Sequence, residues 1–491
     1  MKLLYKSTRG NEKVSSCEAI INGLASDGGL YIPTFFPKID LAFDELIQYN
    51  YKQLAVYVLK KYLIDFTEEE ILYCVNNAYD NKFESEEIGA LVKKGDECYL
   101  ELYHGPTLAF KDMALSILPY LMRVACNKMK TNEDIVILTA TSGDTGKAAL
   151  EGFGGVDGIK IIVFYPENGV SPIQKLQMIT QKEKNTLVVG IDGNFDDAQN
   201  GVKEIFEDRK FNEKLKDNGY ILSSANSINI GRLLPQIVYY IHAYINMLRK
   251  GYINSGESIN ISVPTGNFGN ILAAYYAKKM GLPINKLICA SNENNVLWEF
   301  FNKGNYNSNR EFKITSSPSM DILISSNLER LLYHISDEVK VEKMMMNLKE
   351  EGEYSLSENM LLTLSEFYSS FATDEETYEI IKEIYEKYSY LIDTHTAVAY
   401  KAYRDYKECK EDDIKTVVVS TASPFKFTKD ICIALGIDED LEPFKLGDKL
   451  SSYTGVKVPS SLKELEKNNI IHKTKCNKEE MRKVIKDYLK V

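Results

Sequence analysis

The chain of 491 residues is long enough for about three domains, and its 44% apolar and 26% charged residues are ordinary for a globular protein in water. Its 70 acidic residues outnumber 59 basic ones, and the net charge of −11 argues against nucleic acid or an anionic membrane as a partner. The eight cysteines form no CxxC pair and residues 1–9 lack the apolar run of a signal peptide, so we expect reduced thiols in a cytoplasmic protein. Five scattered histidines predict no metal site, and no apolar stretch reaches the length of a membrane span.

Residues 1–95 are predicted to form a first, helical unit. Residues 46–62 and 67–79 have the spacing of amphipathic helices, and Thr67 with Glu70 three residues later has the sequence of a capping box. No residue in this unit points to chemistry, so we expect a cap or entry domain.

The next segment, His104-Gly-Pro-Thr-Leu-Ala-Phe-Lys-Asp112, places one lysine after a Gly-Pro turn and an apolar step. Partial burial would disfavour the ammonium form of Lys111, and a neutral amine can attack an aldehyde and bind it as a Schiff base. That chemistry is typical of pyridoxal phosphate enzymes. Because most lysines simply face water, Lys111 alone is weak support for such a site.

From residue 134 onward, short apolar runs alternate with helical stretches. Continuous apolar strands separated by helices are typical of a parallel sheet covered on both faces, where ligands bind beyond the carboxyl ends of the strands. The sequence therefore predicts an α/β fold with its site in the loops that follow the strands. The predicted strands are residues 135–138, 160–164, 186–189, 259–263, 287–289 and 416–419.

Two loops after predicted strands, residues 139–146 and 264–270, are polar, contain glycine and precede a helix. This order presents backbone N–H groups and a helix N-terminus to an anion. A P-loop is excluded by Thr141 and Ala148, and a dinucleotide fingerprint starting at Gly152 fails at Asp157. For either loop alone, a plain connecting role remains the alternative.

Three more polar positions lie further along the chain. Asn226, Ser227 and Arg232 open a predicted helix and could donate to a phosphate or carboxylate; a helix cap followed by a surface arginine is an equal alternative. Thr421 follows the last predicted strand. His395, in a helix-rich segment, is expected to be a satisfied structural histidine.

Together these pieces resemble the threonine synthase family, pyridoxal phosphate enzymes of the tryptophan-synthase-β fold group, fold type II. The resemblance is to the long form of the family and implies an α/β fold with two open parallel-type sheets covered by helices. It also implies a helical N-terminal domain over residues 1–95 and a catalytic region over 96–491, with a small α/β subdomain at about 125–225. The matching segments are Tyr5-Lys-Ser-Thr-Arg9, Gly23-Leu-Ala-Ser-Asp-Gly-Gly-Leu30, and residues 104–112, 141–146, 226–229, 266–270, 317–321 and 420–427.

The resemblance also implies roles for single residues. Lys111 would bind the cofactor as a Schiff base and move protons at the substrate's Cα and Cβ. The neutral hydroxyl of Thr421 would face the pyridine nitrogen. Because a hydroxyl, unlike a carboxylate, does not keep that nitrogen protonated, the ring would withdraw electrons less strongly. Asp144, which is Asn in some relatives, is expected to contribute backbone or local hydrogen bonds rather than charge. The cofactor phosphate is expected at Gly266, Asn267, Phe268, Gly269 and Asn270, the substrate carboxylate at Thr141, Ser142, Gly143, Asp144 and Thr145, and the substrate phosphate at Asn226, Ser227 and Arg232.

The implied reaction is that of O-phospho-L-homoserine with water to give L-threonine and phosphate, the last step of threonine biosynthesis. The resemblance also favours a monomer over an oligomer. Ser423 stands where the family usually has histidine, which puts a proton-handling role at that position in doubt. Two alternatives stay open. One is a serine/threonine dehydratase or a phospholyase of the same fold, and the other is a non-catalytic relative that keeps the fold.

Overall fold

The computed structural model describes residues 2–85, 87–141, 143–167 and 170–491. Most strands of the two larger sheets are buried and apolar, and after residue 134 strands and helices alternate along most of the chain. The strands are β1 (Tyr5–Ser7), β2 (Lys13–Val14), β3 (Tyr31–Pro33), β4 (Ala90–Lys94), β5 (Glu97–Glu101), β6 (Asp134–Ala140), β7 (Ile159–Pro166), β8 (Thr186–Ile191), β9 (Tyr220–Ser223), β10 (Ile259–Pro264), β11 (Ile284–Ser291), β12 (Asn305–Asn307), β13 (Glu353–Ser355), β14 (Phe367–Phe371), β15 (Thr416–Ser420) and β16 (Thr474–Cys476).

Many helices begin at a side-chain cap. Thr67 accepts a hydrogen bond from the N–H of Glu70, whose carboxylate accepts from the N–H of Thr67, so the predicted capping box is confirmed. The helices are α1 (Ser16–Asn22), α2 (Phe43–Leu46), α3 (Tyr51–Tyr62), α4 (Glu68–Ala78), α5 (Asp112–Leu115), α6 (Leu118–Met129), α7 (Asp144–Phe153), α8 (Pro172–Ile179), α9 (Phe195–Glu207), α10 (Arg209–Asp217), α11 (Ile230–Arg249), α12 (Gly269–Met280), α13 (Val296–Lys303), α14 (Leu328–His334), α15 (Glu338–Glu350), α16 (Glu358–Thr363), α17 (Asp374–Tyr388), α18 (Thr394–Lys410), α19 (Thr428–Ala434), α20 (Pro443–Thr454), α21 (Ser460–Leu465) and α22 (Met481–Leu489).

Two open sheets form the framework of the fold. The larger has the strand order β14-β11-β10-β15-β5-β4, in which only the edge strand β4 runs antiparallel to its neighbour. The smaller, with the order β16-β8-β7-β6-β9, is entirely parallel. Every predicted strand lies inside an observed one, and the predicted α/β class with two helix-covered sheets is confirmed.

The N-terminal unit contains more than helices. A three-stranded antiparallel sheet in the order β2-β1-β3 accompanies α1 to α4. These strands are two or three residues long, too short to show an alternating pattern, so the purely helical prediction for this unit is incomplete.

Helix α11 is the central packing element. Its residues 230–247 are all buried, and it contacts α3 and α1 of the N-terminal unit as well as α5 and α12. The N-terminal unit therefore packs against the helix that carries Arg232.

All eight cysteines lie in the part of the chain that the structure describes, and none of them forms a disulfide.

Within the same described ranges, no helix combines the length and the apolar character that a membrane crossing requires.

Candidate active site

The segment before Lys111 is fastened to the end of strand β15. Phe110 donates its N–H to the carbonyl of Thr421 at 2.8 Å, and Ser423 donates its N–H to the carbonyl of Leu108 at 3.0 Å. Leu108 has a φ of 60°, a left-handed conformation that is unusual for a leucine and tightens this turn. The two predicted residues Lys111 and Thr421 are thus brought together by backbone hydrogen bonds, although 310 positions separate them in the sequence.

The amine of Lys111 lies in a mostly buried environment with mixed charges. Its side chain is 13% exposed, and Nζ lies 4.0 Å from Oδ2 of Asp144 and 3.5 Å from Oγ of Ser319. Burial lowers the pKa of Lys111 to about 8; Asp144 opposes this shift, while the charges of Lys426 and Arg232 add to it. The neutral amine needed for attack on an aldehyde is therefore available near neutral pH.

Asp144 forms a buried ion pair. Its Oδ1 lies 2.6 Å from Nζ of Lys426 and accepts a hydrogen bond of 3.1 Å from Nε2 of Gln174. The carboxylate is 5% exposed, and although burial works against ionisation, Lys426 and Lys111 hold the pKa of Asp144 well below its usual range. The carboxylate lies between two lysines, so the prediction that Asp144 contributes hydrogen bonds rather than charge is wrong. Both lysines are far from Asp144 in the sequence, so its neighbouring residues could not indicate them.

The loop after β6 has the predicted strand, loop and helix order. The hydroxyl of Thr141 accepts hydrogen bonds of 3.0 Å from the N–H groups of Gly143 and Gly146 and so shapes the loop from within. Gly143 has a φ of 153°, and a Cβ there would meet the side chain of Gln174. Thr145 lies in the first turn of α7, while Ser142, also predicted to bind substrate, lies outside the described residues.

The loop after β10 leads directly into helix α12. Phe268 has a φ of 63°, and α12 begins at Gly269, so the first N–H groups of the helix have no partner inside it. A Cβ on Gly266 would lie 2.8 Å from the carbonyl of Ser319, which shows how closely the 317–321 segment covers this loop. Asn267 is held from behind, because its carbonyl accepts from the backbone and the side chain of Asn327.

Asn270, on the first turn of α12, has a buried amide nitrogen without a protein partner among the described residues. A buried donor left without an acceptor costs about 1 to 3 kcal/mol. Together with the open helix N-terminus, this donor fits a phosphate dianion. The predicted loop of Gly266, Asn267, Phe268, Gly269 and Asn270 therefore suits the phosphate of a pyridoxal phosphate cofactor.

Arg232, on the first turn of α11, is a buried cation with spare donors. It is 4% exposed, Nη1 donates to the carbonyl of Ala225 at 3.0 Å, and Nε has no partner in the part of the chain that the structure describes. Burial lowers the pKa of Arg232 to about 10. Asn226 is exposed and Ser227 half-buried, both in the turn that precedes this helix. A mobile anion is the natural partner for such a guanidinium.

Two residues that the sequence did not indicate build the support behind Arg232. Asn229 caps α11 by accepting from the N–H of Gly231, and its amide donates to the carbonyl of Ile20. Arg330 is fully buried and donates to the carbonyls of Tyr31 and Ile228. Both residues tie the N-terminal unit to the segment that carries Arg232. Asn229 belongs to the matching segment 226–229, which was the one sequence signal for it, whereas no motif pointed to Arg330.

His395 is a satisfied structural histidine, as predicted. Its Nδ1 lies 2.8 Å from Asp393, and its Nε2 accepts the N–H of Ser319 at 3.2 Å. It therefore fixes the segment that covers Gly266.

Ser423 is 3% exposed and its Oγ accepts from the N–H of Phe425 at 3.4 Å, so this hydroxyl shapes a backbone turn.

The family models match consecutive parts of the chain. Residues 4–79 match "Threonine synthase N terminus", residues 93–423 match "Pyridoxal-phosphate dependent enzyme", and residues 396–484 match "Threonine synthase, C-terminal". The chain belongs to the threonine synthase family. The resemblance predicted from the motifs, the fold group and the pyridoxal phosphate dependence are confirmed by these matches.

Individual threonine synthases cover nearly all of the chain. The chain is 36% identical to the threonine synthase of Schizosaccharomyces pombe over 470 residues. The matched region covers 89% of this chain and 90% of that protein. The crystal structure of PLP-bound threonine synthase from Brucella melitensis superposes with a TM-score of 0.88 at 36% identity, with 99% of each chain covered.

A second group of relatives in the threonine synthase family is longer than this chain. The human protein named "Threonine synthase-like 1" is 39% identical over 450 residues, which cover 87% of this chain and 59% of that protein. The chain thus spans about three fifths of the length of these relatives.

Proposed function

We propose that the chain is a threonine synthase, which converts O-phospho-L-homoserine and water into L-threonine and phosphate. The observation that carries this proposal is the buried guanidinium of Arg232, whose Nε has no partner among the described residues and whose charge helps to lower the pKa of Lys111. A buried cation with a spare donor favours a substrate with a second anion besides its carboxylate. The relatives that are named threonine synthase support L-threonine as the product.

We infer that Lys111, Thr421 and the loop of Gly266 to Asn270 bind the cofactor. When bound, pyridoxal phosphate supplies an aldehyde for the amine and a ring that withdraws electrons from the substrate's Cα. The loop offers backbone N–H groups and the Asn270 amide to the phosphate. The 317–321 segment, which His395 fixes through Ser319, covers this loop at Gly266.

The remaining steps are assigned to side chains by their chemistry. Lys111 takes the proton from Cα and later returns one, since its lowered pKa lets it act in both directions near neutral pH. The 141–145 loop, with its open helix N-terminus, binds the substrate carboxylate. A second proton, removed by Lys111 from Cβ, leaves the electron pair that expels the phosphate from Cγ, and Arg232, with Asn226 and Ser227, binds that phosphate. Cγ then takes up a proton and becomes the methyl group, while water adds its hydroxyl at Cβ and gives its other proton to the released phosphate.

The dehydratase and phospholyase alternatives differ at two points. A serine/threonine dehydratase has no substrate phosphate, so it has no use for a spare buried arginine. A phospholyase shares the phosphate site but forms no bond between water and Cβ, so only the products separate it from a threonine synthase. We also propose that the protein acts as a monomer in the cytoplasm and that residues 1–95 form its cap domain; the packing of α1 and α3 against α11 supports the last point.

The test is the substitution Arg232→Ala. We expect KM for O-phospho-L-homoserine to rise by about 30- to 150-fold, because a charge-assisted hydrogen bond contributes about 2 to 3 kcal/mol. The visible absorbance of bound cofactor should stay unchanged. Arg249→Ala, at the exposed far end of the same helix, is the matched control and should leave KM unaltered. An unchanged KM in Arg232→Ala would remove the phosphate assignment.

A further inference from the structure

Two adjacent tyrosines on α11 face the start of α12. Tyr239 and Tyr240 are fully buried, and each places its hydroxyl 2.5 Å from Oδ1 of Asn270. The hydroxyl of Tyr239 also lies 3.0 Å from Oε1 of Gln236, and its one proton goes to the closer oxygen, that of Asn270. This separation is at the short end of the range for O–H···O bonds and below the range for N–H···O bonds, so the amide oxygen is the acceptor. Burial raises the pKa of Tyr239 and of Tyr240 well above its ordinary value, so both hydroxyls keep their protons as donors.

The other end of the same amide has no such partner. With Oδ1 of Asn270 taken by two donors, Nδ2 must point away from the tyrosines, and it is buried without an acceptor in the described residues. Asn270 is 7% exposed and lies on the first turn of α12, where the backbone N–H groups are also open. The side-chain donor and the helix N-terminus therefore face the same anion site.

We propose that Tyr239 and Tyr240 are positioning residues for the cofactor, which fix the Asn270 amide so that Nδ2 donates to the cofactor's phosphate group. This inference rests on the proposed assignment of the Gly266 to Asn270 loop to that phosphate. Without the two hydroxyls the amide can rotate about its last torsion, and the phosphate meets a donor only part of the time. The tyrosines act through Asn270 and touch neither cofactor nor substrate.

The experiment measures the Kd of pyridoxal phosphate, and of pyridoxal as the phosphate-free probe, for the full chain after its cofactor has been removed. The variants are Tyr239→Phe, Tyr240→Phe, the double substitution, and the same changes in an Asn270→Ala background. Tyr244→Phe is the matched control. It lies one turn later on α11 and is equally buried, and within the described residues its hydroxyl bonds the loop at residues 256–257 rather than Asn270.

We expect each single substitution to weaken pyridoxal phosphate binding about threefold and the double substitution about tenfold, as for one or two hydrogen bonds. Pyridoxal binding should not change, and Tyr244→Phe should match the wild type. In the Asn270→Ala background the tyrosine substitutions should have no further effect, because the residue through which they act is gone. The single substitutions cover the case in which the double variant fails to fold.

Three results would overturn the proposal: unchanged or tighter pyridoxal phosphate binding in the tyrosine variants, an equal loss for pyridoxal, or an equal loss in both backgrounds. Tighter binding would mean that the amide is reversed, with its oxygen facing the anion. If Asn270→Ala itself leaves binding of pyridoxal phosphate unchanged, the Asn270 side chain does not hold the phosphate and the proposal falls. If the wild-type chain binds pyridoxal phosphate no more tightly than pyridoxal, the assignment of the whole loop to the cofactor's phosphate is wrong. That outcome is distinct from a failure of the tyrosine variants alone.

Discussion

Replacing Lys426 with methionine should shift the pH at which Lys111 reacts with an aldehyde. Lys426 is 2% exposed and bound to Asp144, whose other carboxylate oxygen lies 4.0 Å from the amine of Lys111. Methionine keeps most of the buried side-chain volume but removes the charge. Lys111 then loses a neighbouring cation and becomes the one lysine paired with Asp144, so its pKa rises.

The size of the shift follows from Coulomb's law. At an effective dielectric constant of about 20, unit charges 4.0 Å apart attract by about 4 kcal/mol, and one pKa unit corresponds to about 1.4 kcal/mol. In the wild type, the charge of Lys426 cancels part of the attraction between Lys111 and Asp144. If Lys426→Met restores about a third of that attraction, the pKa of Lys111 rises by about one unit from its present value of about 8. The neutral fraction at pH 7 then falls from about a tenth to about a hundredth.

The assay follows the visible absorbance of bound cofactor after pyridoxal phosphate is added to the cofactor-free chain at a series of pH values. The Lys426→Met variant should bind about tenfold more slowly at pH 7 than the wild type, with a midpoint about one pH unit higher. Lys426→Arg, which keeps the charge, and Lys429→Met, an exposed lysine three residues later, should keep the wild-type midpoint. An unchanged midpoint in Lys426→Met, with an unchanged melting temperature, would refute this account of the Lys111 pKa.

Two further predictions concern the cofactor loop and acid stability. Gly266→Ala should weaken pyridoxal phosphate binding in an absorbance titration and destabilise the chain by about 1 to 3 kcal/mol in urea, because the new methyl group meets the carbonyl of Ser319. Gly447→Ala, in the open middle of α20, should instead stabilise it by about 0.5 to 1 kcal/mol; equal effects of the two changes would contradict the contact. Burial lowers the pKa of His242 from 6.5 to about 3, so the folded state binds fewer protons than the unfolded state between these values, and stability is lost as the pH falls through this window. His242→Gln should flatten that loss by about 1.4 kcal/mol per pH unit in pH-dependent urea unfolding, and parallel curves would contradict the assignment.

The parallel-sheet architecture and the loops that form the site could be predicted from the sequence, because both depend on local patterns. The central strands are mostly apolar, and the two glycine-containing loops, residues 139–146 and 264–270, come at the ends of such strands. The three-stranded sheet of the N-terminal unit and the hairpin of β4 and β5 were missed. Their strands are short or mixed with charged residues, so pairing between strands decides them rather than periodicity.

The electrostatics of the site could not be predicted, because they depend on residues far apart in the chain. Asp144 and Lys426 are 282 positions apart, and nothing at either position indicates the other. The same holds for Asn270 and the two tyrosines of α11, which meet only because α11 packs against α12. Sequence patterns identified the groups that contact ligands, while tertiary packing supplies the residues that orient and charge them.

The most direct test of the proposed function is to quantify every product of O-phospho-L-homoserine turnover by the cofactor-loaded chain. We expect L-threonine and phosphate in equal amounts, and no turnover in Lys111→Ala. Phosphate released together with 2-oxobutanoate and ammonia, without threonine, would show elimination without addition of water at Cβ and would contradict the proposal.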